Sequence, residues 1–137
     1  MTALSANKGR ESRNLGAIMR YKMKASVTIY AGSIVMLNSD GLALVAAASA
    51  SNQGCVGVAT EKVTSAASGD YYIHVQEGDY KFAATSIADT DIGIIAYAVD
   101  DNTIDETDTG NLPKAGYLTE VESSTLGWVR MDLACTR

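Results

Sequence analysis

The sequence predicts an all-β fold, a compact antiparallel β-sandwich or barrel of jelly-roll type with an extended basic N-terminal arm. Three observations support this prediction. Short runs rich in β-branched and aliphatic residues recur along the chain, turn signals separate them about every 8–12 residues, and no long stretch has a convincing helical period. The 12 glycines and the single proline, Pro113, suit tight turns.

The first half of the predicted domain begins at residue 26. Residues 26–30 and 33–38 are β-prone, and Asp40-Gly41 then turns the chain into a strand over residues 42–47, which makes a hairpin. A small, polar loop over residues 46–53 follows this strand. Residues 54–60 form another predicted strand, whose glycines suggest a bulge or a close backbone approach.

The second half repeats this texture. In residues 71–76 the side chains alternate, so that Tyr71, Ile73 and Val75 face one way and Tyr72, His74 and Gln76 the other. A tight turn, Glu77-Gly78-Asp79, leads into residues 80–84. The remaining predicted strands are residues 92–99, 115–121 and 126–133, with an acidic loop over 100–111 that contains a short Thr103-Ile104 segment.

The charge is divided unevenly between the N-terminal arm and the rest of the chain. Residues 1–24 carry six bases and one acid, a net charge of +5, whereas residues 25–137 carry five bases and fifteen acids, a net charge of −10. We therefore predict an extended arm over residues 1–24, ordered on its partner, and a single β domain over residues 25–137. The acidic domain disfavours direct nucleic-acid binding, because it repels phosphate.

The cysteine usage and the hydrophobic runs favour a protein made in the cytoplasm. Cys55 and Cys135 are 80 residues apart without metal-type spacing, so two reduced thiols are expected, while an intramolecular or intersubunit disulfide stays open. The longest apolar runs have seven residues, whereas a membrane span needs about 20, and the N-terminus has no secretory pattern. No membrane association is expected.

The residues give no catalytic or cofactor-binding pattern. The single histidine, His74, has no nucleophile elbow to serve, and it suits a surface or interface position. Nucleotide-binding and zinc-protease motifs do not occur, so no enzyme activity and no cofactor are expected. The acidic loop fails as a calcium loop because Glu106 and Leu112 stand where glycine and glutamate are required, which leaves a solvated loop or a loose cation site.

Two sets of residues are candidates for binding a macromolecular partner. The basic set in the arm is Lys8, Arg10, Arg13 and Arg20. The aromatic set is Tyr72, Tyr80, Tyr117 and Trp128. Tyr and Trp are favoured at interfaces because they combine an apolar body with a polar tip, although ordinary partial burial explains these aromatics equally well.

Several strand-and-turn segments, taken in their order, resemble a family of small capsid cement proteins of tailed bacteriophages, related in role to the lambda-type head decoration proteins. The N-terminal and central segments are MTALSAN (residues 1–7), YAGSIVMLN (30–38), VGVA (56–59) and VQEGDYKFA (75–83). The C-terminal segments, which are the most specific, are AYAVDDNTI (96–104), AGYL (115–118) and GWVRM (127–131).

The resemblance implies a non-enzymatic virion protein on the outer surface of the capsid, present as a homodimer or homotrimer and bound to the phage major capsid protein. It implies a mechanical role, in which the protein bridges neighbouring capsid subunits of the expanded head. The basic set is then expected to contact the shell, and the aromatic set to contact the shell or another copy. The alternatives are a tail or neck component, a nucleic-acid-binding module and a cell-wall hydrolase.

Overall fold

Almost all of the regular structure in this computed structural model, which describes residues 3–67 and 70–132, consists of strands. The strands of the described chain are β1 (Ser12–Arg13), β2 (Ile18–Lys22), β3 (Thr28–Ile29), β4 (Ile34–Asn38), β5 (Ala43–Val45), β6 (Asn52–Ala59), β7 (Val63–Thr64), β8 (Tyr72–Gln76), β9 (Gly78–Ala84), β10 (Ile95–Ala98), β11 (Thr103–Asp105), β12 (Lys114–Ser123) and β13 (Leu126–Met131). One short 3-10 helix, Asp89–Asp91, precedes β10. The predicted all-β class is confirmed.

Five strands of the first sheet close into a barrel. Their order is β9, β11, β10, β12 and β13, and β13 pairs with β9 along residues 78–83. The β9–β11 pair is parallel and the other pairs are antiparallel, so the sheet is mixed rather than purely antiparallel as expected, and in this it departs from a jelly roll. Closure protects the strand edges, which a small open sheet leaves unpaired.

The second sheet is almost closed as well. Its strand order is β2-β8-β6-β4-β5, and an isolated parallel bridge joins Met23, just after β2, to Ala43 at the start of β5. The short pair β3–β7 forms a third, two-stranded sheet. The described residues thus form one closed barrel and a second sheet whose edge strands β2 and β5 meet at Met23 and stay open along Ile18–Lys22.

The central strand β4 separates two hydrophobic cores. Ile34 and Met36 belong to the core that the closed barrel shares, whereas Val35 and Leu37 belong to the core inside the second sheet. All four side chains are buried because β4 is covered on both faces, which explains why this strand reads as a continuous apolar run.

The strand predictions differ from the structure mainly at the ends of elements. The predicted strand over residues 92–99 is shorter, because residues 89–91 form the 3-10 helix and the extended strand begins at Ile95. The short Thr103-Ile104 segment of the acidic loop is a real strand, β11. In β8 the predicted alternation is confirmed, since Ile73 and Val75 are buried while Tyr72 and His74 are exposed. Tyr71, which precedes β8, is exposed. Leu133 and Cys135 lie outside the described residues.

The predicted N-terminal arm is not separate from the domain. Its backbone is extended, but β1 pairs with β9, and β2 forms five residue pairs with β8. The predicted boundary at residue 24 is therefore wrong for the described residues 3–24, which form part of the folded domain. In residues 3–67 and 70–132 no helix is long and apolar enough to cross a membrane.

Candidate partner-binding surface

We call residues 3–24 of the described chain the N-terminal segment, and its backbone is hydrogen-bonded to the rest of the domain at Lys8. The Lys8 amide donates a 2.9 Å hydrogen bond to the Ala31 carbonyl. Gly32 follows at a φ of +90°, and a Cβ at this position would overlap the Lys8 carbonyl oxygen. A glycine is needed here both for this backbone conformation and for this close approach.

Arg10, one of the four predicted shell contacts, binds within the chain instead. Its guanidinium donates to the Gly32 carbonyl at 2.8 Å and to Asn102 Oδ1 at 3.0 Å, and it lies 4.6 Å from the centre of the Phe82 ring. Burial lowers the pKa of Arg10 to about 10, although the nearby Asp101 favours the charged form. This side chain holds the segment to the domain and is not available to a shell.

Asp101 provides a second anchor for the N-terminal segment. It was expected in a solvated acidic loop, but it is buried, and its two oxygens accept hydrogen bonds from the Leu4 amide at 2.9 Å and the Ser33 hydroxyl at 3.0 Å. Burial raises the pKa of Asp101 above the ordinary range, and the two hydrogen bonds oppose this rise. The solvated-loop prediction is therefore wrong at this residue.

Arg13 and Trp128 contact each other, and this contact leaves Trp128 almost buried while the Arg13 side chain stays partly exposed. The Arg13 guanidinium lies 4.1 Å from the centre of the Trp128 ring and pairs with Glu120 at 2.9 Å. The indole Nε1 donates to Glu122 at 2.6 Å, and Trp128 is 9% exposed. Sequence alternation places Trp128 on the outside of β13, and it is the N-terminal segment that covers it.

Tyr80 is also excluded from an external interface. It is 4% exposed on the inward face of β9, its hydroxyl donates to the Gln76 carbonyl at 2.9 Å, and burial raises its pKa to about 12.

Asp79, the residue before Tyr80, was predicted in a turn but lies buried in β9, where Asn14 donates to its Oδ2 at 2.9 Å. Sequence reasoning missed this buried carboxylate, which anchors β1.

The structure brings together one basic and one aromatic candidate, Arg20 and Tyr72. The Arg20 guanidinium lies 4.3 Å from the centre of the Tyr72 ring, across the β2–β8 pair. Tyr72 is 44% exposed, and Ile18, on the same face of β2, is 58% exposed. The exposed side chains of these two strands that lie on the same face as Arg20 are Ile18, Arg20, Lys22, Tyr72 and His74, and we call them the Arg20–Tyr72 face.

Two acids lie at the border of the Arg20–Tyr72 face. Glu61 accepts hydrogen bonds from the His74 amide at 3.0 Å and contacts the His74 ring nitrogen Nδ1 at 2.7 Å. The hydrogen bond from His74 lowers the pKa of Glu61. At the other end, Lys22 lies 3.7 Å from the highly exposed Asp70. Each acid contacts one cationic or titratable side chain, while Arg20 stands at the centre of the face beside an aromatic ring.

The remaining aromatic candidate, Tyr117, lies on the closed barrel. It is 40% exposed on β12, and its neighbours in the sheet are Ile95 and Arg130. Ile92 and Ile94, which precede β10, are also exposed. They lie near Tyr117, because the Ile94 carbonyl accepts a backbone hydrogen bond from the Leu118 amide. We call Ile92, Ile94 and Tyr117 the Tyr117 patch. Lys8, the last candidate, is exposed and makes a 3.4 Å contact with Asn102.

The described part of the chain contains no group of three or more His, Cys, Asp or Glu residues that could hold a metal ion. An open hollow of about 450 Å³ is lined by residues such as Asn52, Tyr97 and Lys114. Its amide Asn52 is already bonded to the Ser49 and Asn111 carbonyls. Cys55 is buried, and burial raises the pKa of its thiol.

No protein-family model matches the chain, and no curated protein matches it.

Proposed function

We propose that this chain is a structural virion protein that binds the outside of a phage head and stabilises the expanded capsid by bridging neighbouring major capsid subunits. The resemblance of its ordered strand-and-turn segments to capsid cement proteins supports the proposal. The all-β fold is compatible with that family, and the exposed Arg20–Tyr72 face provides a surface suited to binding a protein partner.

The Arg20–Tyr72 face is the observation that carries the proposal. Arginine and tyrosine are the residue types that contribute most binding energy at protein interfaces, and here they are exposed and already in contact. Because Arg20 stacks on Tyr72 before any partner arrives, little side-chain entropy is lost on binding. The cations Arg20 and Lys22 on this face would steer the protein towards an acidic shell surface.

Bridging two subunits requires more than one contact surface on each molecule. The Arg20–Tyr72 face belongs to the second sheet, and the Tyr117 patch belongs to the closed barrel. One surface would bind the shell, and the other would bind a neighbouring capsid subunit or a second copy in a homodimer or homotrimer. If the protein binds the expanded shell and not the unexpanded one, mass action stabilises the expanded state.

A co-sedimentation titration with phage heads that lack the protein tests this proposal. We expect saturable binding to expanded heads, at a fixed ratio to the major capsid protein, and none to unexpanded heads. Arg20→Glu is expected to weaken binding by about 30-fold, the scale of a strong interface residue. Lys114→Glu, which makes the same charge change at an exposed site on the closed barrel, is the matched control.

The outcomes of the titration separate the structural roles. Equal loss of binding in the two variants would indicate a general charge effect and would contradict a specific role for the Arg20–Tyr72 face. If the protein binds neither form of the head but binds purified tails or necks, the proposal of a capsid protein is wrong and a tail or neck component takes its place.

A nucleic-acid-binding function is the second candidate, because the same face combines Arg20 and Lys22 with the exposed ring of Tyr72. The acids Glu61 and Asp70 at its border oppose this function, since they repel phosphate. A labelled single-stranded oligonucleotide distinguishes the two. Binding that falls steeply with salt and is lost in Arg20→Glu would favour nucleic acid over a capsid partner.

A further inference from the structure

The outward edge of β2 is a row of backbone groups without a partner strand in the described chain. β2 is an edge strand of the second sheet, and β8 is its neighbour on the inner side. Hydrogen bonds from the Met23 amide to the Tyr71 carbonyl and from the Glu77 amide to the Ala17 carbonyl show that the odd-numbered residues bond to β8. The backbone groups of Ile18, Arg20 and Lys22 therefore point away from the sheet.

Two residues after β2 ends, at Lys24, the chain already forms a backbone hydrogen bond along this same outward edge. The Lys24 amide donates a 2.9 Å hydrogen bond to the Ala43 carbonyl, and Met23 forms a parallel bridge with Ala43. The outward edge therefore already has the geometry of a β-ladder at Lys24. An added strand beside Ile18–Lys22 would continue that ladder and fill the opening in the second sheet.

The charges on β2 determine which kind of strand this edge accepts. A second copy paired antiparallel about the centre of β2 would place Arg20 directly opposite Arg20, and like charges in that position are destabilising. An incoming strand with carboxylates beside Arg20 and Lys22 would instead gain opposite-charge pairs. The edge therefore favours an acidic strand over self-association.

We infer that the outward edge of β2 binds an extended acidic segment by strand addition, and that this segment belongs to the capsid subunit. The assignment to the capsid rests on the proposed function. Backbone hydrogen bonds from Ile18, Arg20 and Lys22 would hold the segment in register, while the side chains of Arg20 and Lys22 would select carboxylates on the exposed face.

A peptide-binding measurement tests the edge without a capsid. The probe is a capped, fluorescent peptide that alternates glutamate with valine, and the control peptide alternates lysine with valine. We expect the glutamate peptide to bind and the lysine peptide not to bind. A third peptide with the glutamate sequence, N-methylated on alternate amides along the edge that faces β2, cannot form the ladder and is expected to bind at least about tenfold more weakly.

Ile18→Pro tests the same contact from the side of the protein. Proline removes the outward N–H of residue 18 and spares the hydrogen bonds of β2 to β8, because proline is tolerated at edge positions whose N–H points away from the sheet. We expect about tenfold weaker binding of the glutamate peptide. Ile18→Thr, which keeps the N–H and a β-branched side chain, is the matched control and is expected to bind normally.

The results separate this inference from the proposed function. If the N-methylated peptide binds as well as the unmodified one, attraction is by charge alone and strand addition is wrong. If Ile18→Pro folds and still binds expanded heads as tightly as the unaltered protein, the edge is not the capsid contact, although the cement function stands. If the glutamate peptide binds as expected but the protein binds no heads, the edge is confirmed and the capsid assignment is wrong.

Discussion

Arg10 distinguishes an anchored N-terminal segment from a free arm, because its side chain has internal partners that a free arm would lack. Arg10→Ala removes the hydrogen bonds to the Gly32 and Lys81 carbonyls and to Asn102, together with the contact with the Phe82 ring. Each hydrogen bond to a charged group contributes roughly 1.5–3 kcal/mol, and the ring contact roughly 0.5–1 kcal/mol, without being additive.

These contributions overlap, since one guanidinium makes all of them and water reaches part of the site. We therefore expect Arg10→Ala to lower the free energy of unfolding by about 2–3 kcal/mol. For a chain of this length the melting temperature should fall by roughly 8–12 °C. Arg10→Lys should lie between the two proteins, because it keeps the charge but loses the planar guanidinium that bonds several acceptors at once.

Urea unfolding followed by the fluorescence of Trp128 is a suitable assay, with Lys8→Ala as the matched control. Lys8 makes an exposed 3.4 Å side-chain contact with Asn102, so its removal should change the unfolding free energy by less than about 0.5 kcal/mol. If Arg10→Ala unfolds at the same urea concentration as Lys8→Ala but loses binding to heads, Arg10 contacts the shell from a free arm and our reasoning is wrong.

Three further predictions concern the fold and its titration. Gly116 has a φ of +151°, and Gly116→Ala would place a Cβ against the Arg130 carbonyl of the paired strand, so it should destabilise the protein by about 2–4 kcal/mol in urea unfolding. Gly9→Ala, at a position in open space, is the control and should not destabilise it. Equal urea midpoints of unfolding for the two variants would contradict this packing. Burial raises the pKa of Asp101 in the folded protein, so its contribution to stability is present below the unfolded pKa and is lost as the pH rises through the folded pKa. The stability of Asp101→Asn relative to the unaltered protein should therefore increase as the pH rises above about 4. A flat or falling difference in urea unfolding would contradict this sign. In a Cys135→Ser background, the buried Cys55 should react with a thiol reagent at the rate of unfolding, and rapid labelling of the folded protein would contradict its burial.

The strands with buried faces were predictable because their side chains alternate or form apolar runs. The hairpin of β4 and β5 around Asp40-Gly41 has this pattern, and the structure confirms it. In β9, alternation would also have placed Tyr80 inside, because Tyr80 and Phe82 share one face of that strand and both are buried.

The strand β2 was missed because most of its residues are exposed and two of them are cations. The sequence places Arg20 and Lys22 in a basic arm, and the pairing that makes them part of a sheet is with β8, some 50 residues later. The alternation of side chains in Ile18–Lys22 was the available signal. It is weak, because the outward residue Ile18 is apolar like the inward residues Met19 and Tyr21.

The buried carboxylates Asp79 and Asp101 were beyond prediction from local pattern. Each follows another polar or turn residue, and an acid in that context is usually solvated. Their burial depends on Asn14 and on the Leu4 amide, which lie more than 60 residues earlier in the chain. The candidate surface was predictable in part, since the predicted residues Arg20, Tyr72 and Tyr117 are exposed. Trp128 was predicted with them but is almost buried, because Arg13 of the N-terminal segment covers its ring.

The most direct test of the central claim is the co-sedimentation of the protein and its Arg20→Glu variant with expanded phage heads. We predict saturable binding at a fixed ratio to the major capsid protein, weakened by about 30-fold in the variant while Lys114→Glu binds normally. Absence of binding by the unaltered protein, or equal binding by Arg20→Glu, would contradict the claim that the Arg20–Tyr72 face attaches this protein to a capsid.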